Sequence, residues 1–171
     1  MRATKSSQRG RQAGRKSATL TTKVLYVEHD DDNLYMLKTR LEQHGGFEVL
    51  AAEDSERGCN LAVSERPDVI LLDLEMPVVD RWEPVRTLKK DPRTRNIPII
   101  GMSAYAEASE REKAMATGCD EFDAKPIEFD NRLTTVRRVL AKPKSMFRRR
   151  GDRRDFAAPA YSPLWHISAV S

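Results

Sequence analysis

The chain has 171 residues, with 30 Lys or Arg against 26 Asp or Glu and a formal net charge of +4. That length suits one domain with a real core and excludes two ordinary ones. No run approaches the roughly 18 apolar residues of a spanning helix and no apolar stretch follows the basic N-terminus, so neither a membrane span nor a secretory signal is expected.

In chain order, "MRATKSSQRGRQAGRKSATLTT" comes first, rich in Ser, Gly and Arg and nearly devoid of large apolar residues. Such a segment cannot offset the entropy of ordering, so residues 1–22 are expected to be a disordered basic tail. Its lack of bulky apolar residues also argues against an amphipathic transit peptide. "KVLYV" then reads as a strand. Leu34, Leu37 and Leu41, with Tyr35 alongside, recur at helical spacing until the "HGG" of residues 44–46. "FEVLAA" is a second strand, and Asp54 is an N-cap for a helix running to about Arg66, before Pro67. "DVILLDL" is a continuous apolar run, the mark of a central strand buried on both faces. A helix near residues 82–90, strand "IPIIGMS", a helix from about Glu107 to Thr117, a short strand "DEFDA" and a helix over residues 128–140 complete five βα units. The remaining residues, 141–171, are basic with a short apolar end, "YSPLWHISAV", and read as a second tail. Residues 1–23 and 141–171 each hold seven basic side chains, whereas residues 24–140 carry 16 basic and 24 acidic ones, an acidic domain between two basic tails. Cys59 and Cys119 have no metal-type spacing and form no disulfide framework, and are expected to be buried thiols in a reducing compartment.

Alternating strands and helices predict an α/β fold, a five-stranded parallel sheet with helices on both faces and right-handed crossovers. Ligand sites in such sheets lie beyond the carboxyl ends of the strands. There the first strand offers Glu28 and His29, the third Asp73, the fourth Ser103 and the fifth Lys125 before Pro126. Carboxylates gathered on one rim repel one another unless a cation sits among them, and hard oxygen ligands suit magnesium. A lysine and a hydroxyl opposite the acids would suit a phosphoryl group, and an aspartate can be its acceptor.

The stretches "VLYVEHDDDN", "VILLDLEMPVVD", "IPIIGMSAYA" and "DEFDAKPIEF", in this order and spacing, resemble the receiver domain of bacterial two-component response regulators over residues 23–140. The resemblance implies a flavodoxin-like (βα)5 fold and a stand-alone, phosphorylation-controlled module of a cytoplasmic signalling or phosphorelay pathway, with no independent enzyme activity beyond self-dephosphorylation. It implies that Asp73 takes a phosphoryl group from a phosphohistidine of a sensor kinase or phosphotransfer protein. Ser103 and Lys125 would contact the phosphoryl oxygens. Glu28, Asp73 and the backbone carbonyl of Glu75 would hold Mg2+. Phe122, three residues before Lys125, matches the aromatic switch position, which would couple the site to an output face of the fourth helix, fifth strand and fifth helix.

Two residues depart from the family pattern. His29 stands where an aspartate normally binds the metal. Imidazole suits softer divalent ions, so magnesium binding should weaken or another divalent ion should replace it. Asp30 starts on the wrong side of the backbone to substitute, and Asp31 or Asp32 is expected to cap the first helix. Arg81 stands where the family usually has glycine, which puts that loop's geometry in doubt and places a cation near the site. These departures favour a second reading, a degenerate receiver acting as a phosphorylation-independent adaptor. The basic tails leave room for nucleic-acid contact, and a homodimer is a further partner to test.

Overall fold

The computed structural model describes residues 21–77, 80–126, 128–143 and 146; the two tail expectations lie outside the described residues, apart from a few at their inner ends. Strands β1 (Thr22–Val27), β2 (Phe47–Ala52), β3 (Val69–Asp73), β4 (Ile99–Ser103) and β5 (Glu121–Ala124) alternate with helices α1 (Asp31–His44), α2 (Ser55–Glu65), α3 (Glu83–Lys90), α4 (Ala108–Thr117) and α5 (Phe129–Leu140). All four pairings are parallel, in the order β2-β1-β3-β4-β5. The predicted α/β class, with its five-stranded parallel sheet, is the observed one.

Side chains alternate across the sheet, so each strand feeds two cores. Val24, Val69, Leu71, Ile100 and Met102 pack with Leu37 and Leu41 of α1 and Leu133, Val136 and Val139 of α5. Leu25, Val27, Ile70, Leu72 and Ile99 pack on the other face with Ala62 of α2, Val85 and Leu88 of α3 and Ala114 of α4. All five residues of β3 are buried, as its unbroken apolar run requires of a strand covered on both sides.

Local signals fix the element ends. Gly45 follows α1 at φ 84°, a left-handed position that glycine enters without a Cβ penalty, and its N–H donates to the Glu42 carbonyl. Asp54 caps α2 by accepting from the Arg57 N–H at 2.7 Å. Arg66 ends that helix at φ 47°, and Pro67 forbids another helical turn. The cap of α1 corrects the sequence reading. It is Asp30, not Asp31 or Asp32, that accepts from the Asn33 N–H at 2.8 Å. Asp30 keeps an extended backbone three residues before that donor, whereas Asp31 and Asp32 already lie in the first turn, where their charges complement the dipole.

Candidate functional site

The strand order reverses direction between β1 and β3, so the chains leaving their carboxyl ends diverge and open a crevice between them. Glu28, directly after β1, and Asp73, the last residue of β3, are each only 1 % exposed there. Two buried carboxylates need compensation, and Lys125, after β5, supplies it. Its Nζ lies 3.1 Å from Glu28 Oε2 and 3.2 Å from Asp73 Oδ1. Burial pulls the Lys125 ammonium down, but the charges of Asp73 and Glu28 outweigh it and hold its pKa above the ordinary lysine value. The Lys125–Pro126 peptide bond is cis, and the Lys125 N–H donates to the Ser103 carbonyl at 2.7 Å, anchoring the lysine to the end of β4.

His29 closes the crevice from outside. Its Nδ1 lies 3.3 Å from Asp73 Oδ2 and 3.4 Å from Glu28 Oε1, with the side chain 46 % exposed. The remaining lone pairs are taken by backbone: Asp30 N–H donates to Glu28 Oε1 at 3.2 Å and Glu75 N–H to Asp73 Oδ1 at 3.0 Å. Tyr26 adds a hydroxyl donor to Glu28 Oε2 at 3.1 Å.

Four of the sequence-derived site residues, Glu28, His29, Asp73 and Lys125, thus meet within hydrogen-bonding distances. Ser103 is buried at the end of β4, and its Oγ accepts from the Tyr105 N–H at 3.1 Å. The Glu75 side chain reaches across the rim to accept from the Ala104 N–H at 3.0 Å. Phe122 is buried on the α2, α3 and α4 side of the sheet, packed with that core. Asp30 turns its carboxylate to its own helix and away from the acids. Arg81 has no left-handed backbone. Its guanidinium pairs with Glu110 on α4 and lies 4.9 Å from the centre of the Trp82 ring, so the cation foreseen near the site is engaged with the α4 side of the rim. Sequence reasoning missed Tyr26, although β alternation puts residues 26 and 28 on one face and a phenol is long enough to reach a carboxylate two residues on.

Glu28, His29 and Asp73 each present one ligand atom within 4.8 Å of the others. Two carboxylate oxygens and an imidazole nitrogen are a donor set that a divalent cation could use. Of the two cysteines expected to be buried, Cys119 is and Cys59 is only partly so; burial pushes the Cys59 thiol up to about 11 and the Cys119 thiol up to about 12. No helix among the described residues is long and apolar enough to cross a membrane.

Comparison with known proteins gives this geometry its context. The family model of the response regulator receiver domain matches residues 24–137. Protein PilH of Pseudomonas aeruginosa is 33% identical over 119 residues, covering 70% of this chain and 98% of its own length. The polar-differentiation response regulator DivK of Brucella anthropi is 30% identical over 117 residues, covering 68% and 94%. Among solved structures, the chemotaxis response regulator CheY4 of Vibrio cholerae superposes with a TM-score of 0.65 at 27% identity over 70% of this chain and 98% of that one. The receiver domain of the sensor histidine kinase PA1611 from Pseudomonas aeruginosa, solved with a magnesium ion coordinated in its active-site cleft, gives a TM-score of 0.65 at 25% identity, covering 71% and 99%. With the fold, the convergent rim residues and these likenesses in agreement, the chain belongs to the response regulator receiver domain family.

Proposed function

We propose that this receiver accepts a phosphoryl group on Asp73 from a phosphohistidine of a sensor kinase or phosphotransfer protein and signals in the cytoplasm through protein-protein binding. The observation that carries this reading is the Asp73 carboxylate itself, buried at the end of the central strand with Lys125 Nζ 3.2 Å away. In the transfer, an Asp73 oxygen forms a bond to phosphorus while the nitrogen–phosphorus bond breaks, its electron pair returning to the donor imidazole. Lys125, already between Glu28 and Asp73, turns to a phosphoryl oxygen. Ser103 donates its hydroxyl proton to another. A divalent cation held by Glu28, Asp73, the Glu75 carbonyl and His29 would neutralise charge on the transferring group. With His29 among its ligands, the site would favour a divalent ion that accepts imidazole nitrogen more readily than Mg2+ does, such as zinc or manganese. The response is read on the surface of α4, β5 and α5, with Phe122 as the switch behind Ser103.

Intact mass after incubation with a small-molecule phosphodonor and manganese or magnesium tests the reading. One added phosphoryl group, labile to base and absent in Asp73→Asn, is expected. An unchanged wild-type mass would overturn it in favour of the second reading, a phosphorylation-independent adaptor. That reading is supported by Lys125, whose ammonium already offsets the acids without a metal. The basic tails, outside the described residues, are proposed to contact polyanions; salt-dependent gel shifts of the full chain, against residues 23–140, test that contact.

A further inference from the structure

Helix α4 has little apolar grip on the body of the domain. Its buried residues are Glu110 and Ala114, and its N-cap residue, Glu107, makes no side-chain capping bond. A helix held in this way depends on polar contacts for its position, and such elements open most easily. Toward β5, Arg111 donates to the Glu121 carboxylate at 2.7 Å and to the Phe122 carbonyl at 3.1 Å. Toward α3, the contact is the ion pair of Glu110 with Arg81.

Glu110 is 8 % exposed, so its carboxylate needs a cation. Two supply it: Arg81 Nη2 donates to Oε2, and Lys113 Nζ donates to Oε1 at 3.1 Å. The two contacts differ in what they join. Lys113 belongs to α4 itself and is largely exposed, so its pairing is screened and ties the helix to no other element. Arg81 comes from the segment before α3. Its guanidinium lies 4.9 Å from the centre of the Trp82 ring, and Trp82 packs against the core and donates its N–H to Asp80 Oδ1 at 2.9 Å. Asp80 is paired in turn with Arg86 of α3. The Arg81–Glu110 pair therefore fastens the first turn of α4 to the start of α3. If it parts, the guanidinium keeps Trp82 and the carboxylate keeps Lys113. A bond backed on both sides opens without stranding a buried charge, which is what distinguishes a latch from a permanent bridge.

We propose that the Arg81–Glu110 pair is a latch that holds α4 in its resting position and slows the acceptance of a phosphoryl group at Asp73. The proposal rests on the reading of Asp73 as the acceptor. Ser103 ends β4, its Oγ accepts from the Tyr105 N–H at 3.1 Å, and α4 starts at Ala108. When Ser103 turns its hydroxyl to a phosphoryl oxygen, the Tyr105 contact is given up and the short connection to α4 shifts. That shift reaches the first turn of the helix, where Glu110 is held. The open-latch state is favoured by the phosphoryl group and disfavoured by the ion pair, so the pair lowers the population ready to be phosphorylated. Glycine, usual in the family at position 81, has no side chain with which to make this contact. Arginine there sets how readily the domain responds.

The test uses the full chain as wild type, Arg81→Gly, Glu110→Gln and the double variant, with acetyl phosphate as donor and manganese chloride as the metal salt. An Asp73 oxygen forms the bond to phosphorus as acetate leaves, and intact mass gives the initial rate. Hydrogen exchange of the α4 amides is followed in the unphosphorylated proteins. Each single variant should be phosphorylated about fivefold faster than wild type, as loss of a part-exposed ion pair from the resting state allows. The double variant should be no faster than the faster single, because one contact can be lost only once. The α4 amides of all three variants should exchange about fivefold faster. A pair that merely stabilised the fold would loosen α4 without raising the rate. Rates indistinguishable from wild type, effects that multiply in the double variant, or unchanged α4 exchange would each overturn the latch. Slower phosphorylation of Arg81→Gly with faster phosphorylation of Glu110→Gln would also overturn it, since Arg81 would then act by attracting the anionic donor. Should Arg81→Gly not fold, Glu110→Gln decides alone. A wild type that takes up no phosphoryl group refutes the acceptor reading, and α4 exchange then decides by itself whether the pair holds the helix.

Discussion

Restoring an oxygen ligand with His29→Asp should make the metal-free protein less stable and the magnesium-bound protein easier to form. In the wild type, the imidazole nitrogen lies 3.3 Å from Asp73 Oδ2 and 3.4 Å from Glu28 Oε1. A third carboxylate at such distances would meet two like charges, each repulsion costing about 1–2.5 kcal/mol at an effective dielectric between about 40 and 80. Because the side chain at this position is 46 % exposed and aspartate is shorter than histidine, it turns outward and about 1–2 kcal/mol in total survives. A loss of that size lowers the melting temperature of a domain this large by roughly 5 °C in EDTA. A divalent ion removes the same repulsion on binding, so magnesium affinity should rise about tenfold, and the melting curves of the two proteins should converge or cross as magnesium is added. Thermal melts in EDTA and through a magnesium titration, with calorimetry for the affinity, measure both halves. Equal stability in EDTA with equal magnesium affinity would refute the reasoning, since it would mean that residue 29 points away from the acids when magnesium binds.

Lys125→Met removes the lysine that bridges two buried carboxylates; it should destabilise the metal-free protein by about 3 kcal/mol in denaturant titration, with manganese recovering much of the loss. Asp30→Ala should cost about 1 kcal/mol of stability through the lost cap and leave metal affinity unchanged by calorimetry, because its carboxylate serves Asn33. Glu121 tests pH. Burial pushes its carboxyl up, but the hydrogen bonds from Arg111 and the Phe122 N–H and the charge of Arg138 prevail, so its folded pKa lies below the ordinary value. Its stabilisation is therefore present above the unfolded pKa and lost as pH falls through the folded one. Glu121→Gln should be less stable than wild type by about 0.5–1 kcal/mol at pH 7, with the gap closing in acid unfolding curves below about pH 4.

The elements that the sequence made legible are those whose signal is local. β3 announces itself because a strand covered on both faces must be apolar at every position, and Asp54 and Gly45 mark helix ends through backbone groups that only certain side chains or a left-handed turn satisfy. Glu28, Asp73 and Lys125 were found together because strand order fixes which rim their strands share. The choice of Asp30 as cap was missed because one residue of frame in the turn after Glu28 decides it, and three consecutive aspartates carry no frame. The partner of Arg81 was not foreseeable, since it depends on how α4 lies across the β3–α3 loop, 29 residues away in sequence.

The acid pocket lies at and just beyond the carboxyl ends of the strands, while the aliphatic packing that pays for folding lies between sheet and helices. Histidine in place of aspartate at position 29 displaces no core atom, and neither does arginine in place of glycine at position 81. Natural selection can therefore alter the ion preference, lifetime or even the need for phosphorylation in such a domain by single exchanges along the rim. The aliphatic packing beneath keeps its contacts, and descendants that look alike in outline can diverge widely in the chemistry they perform.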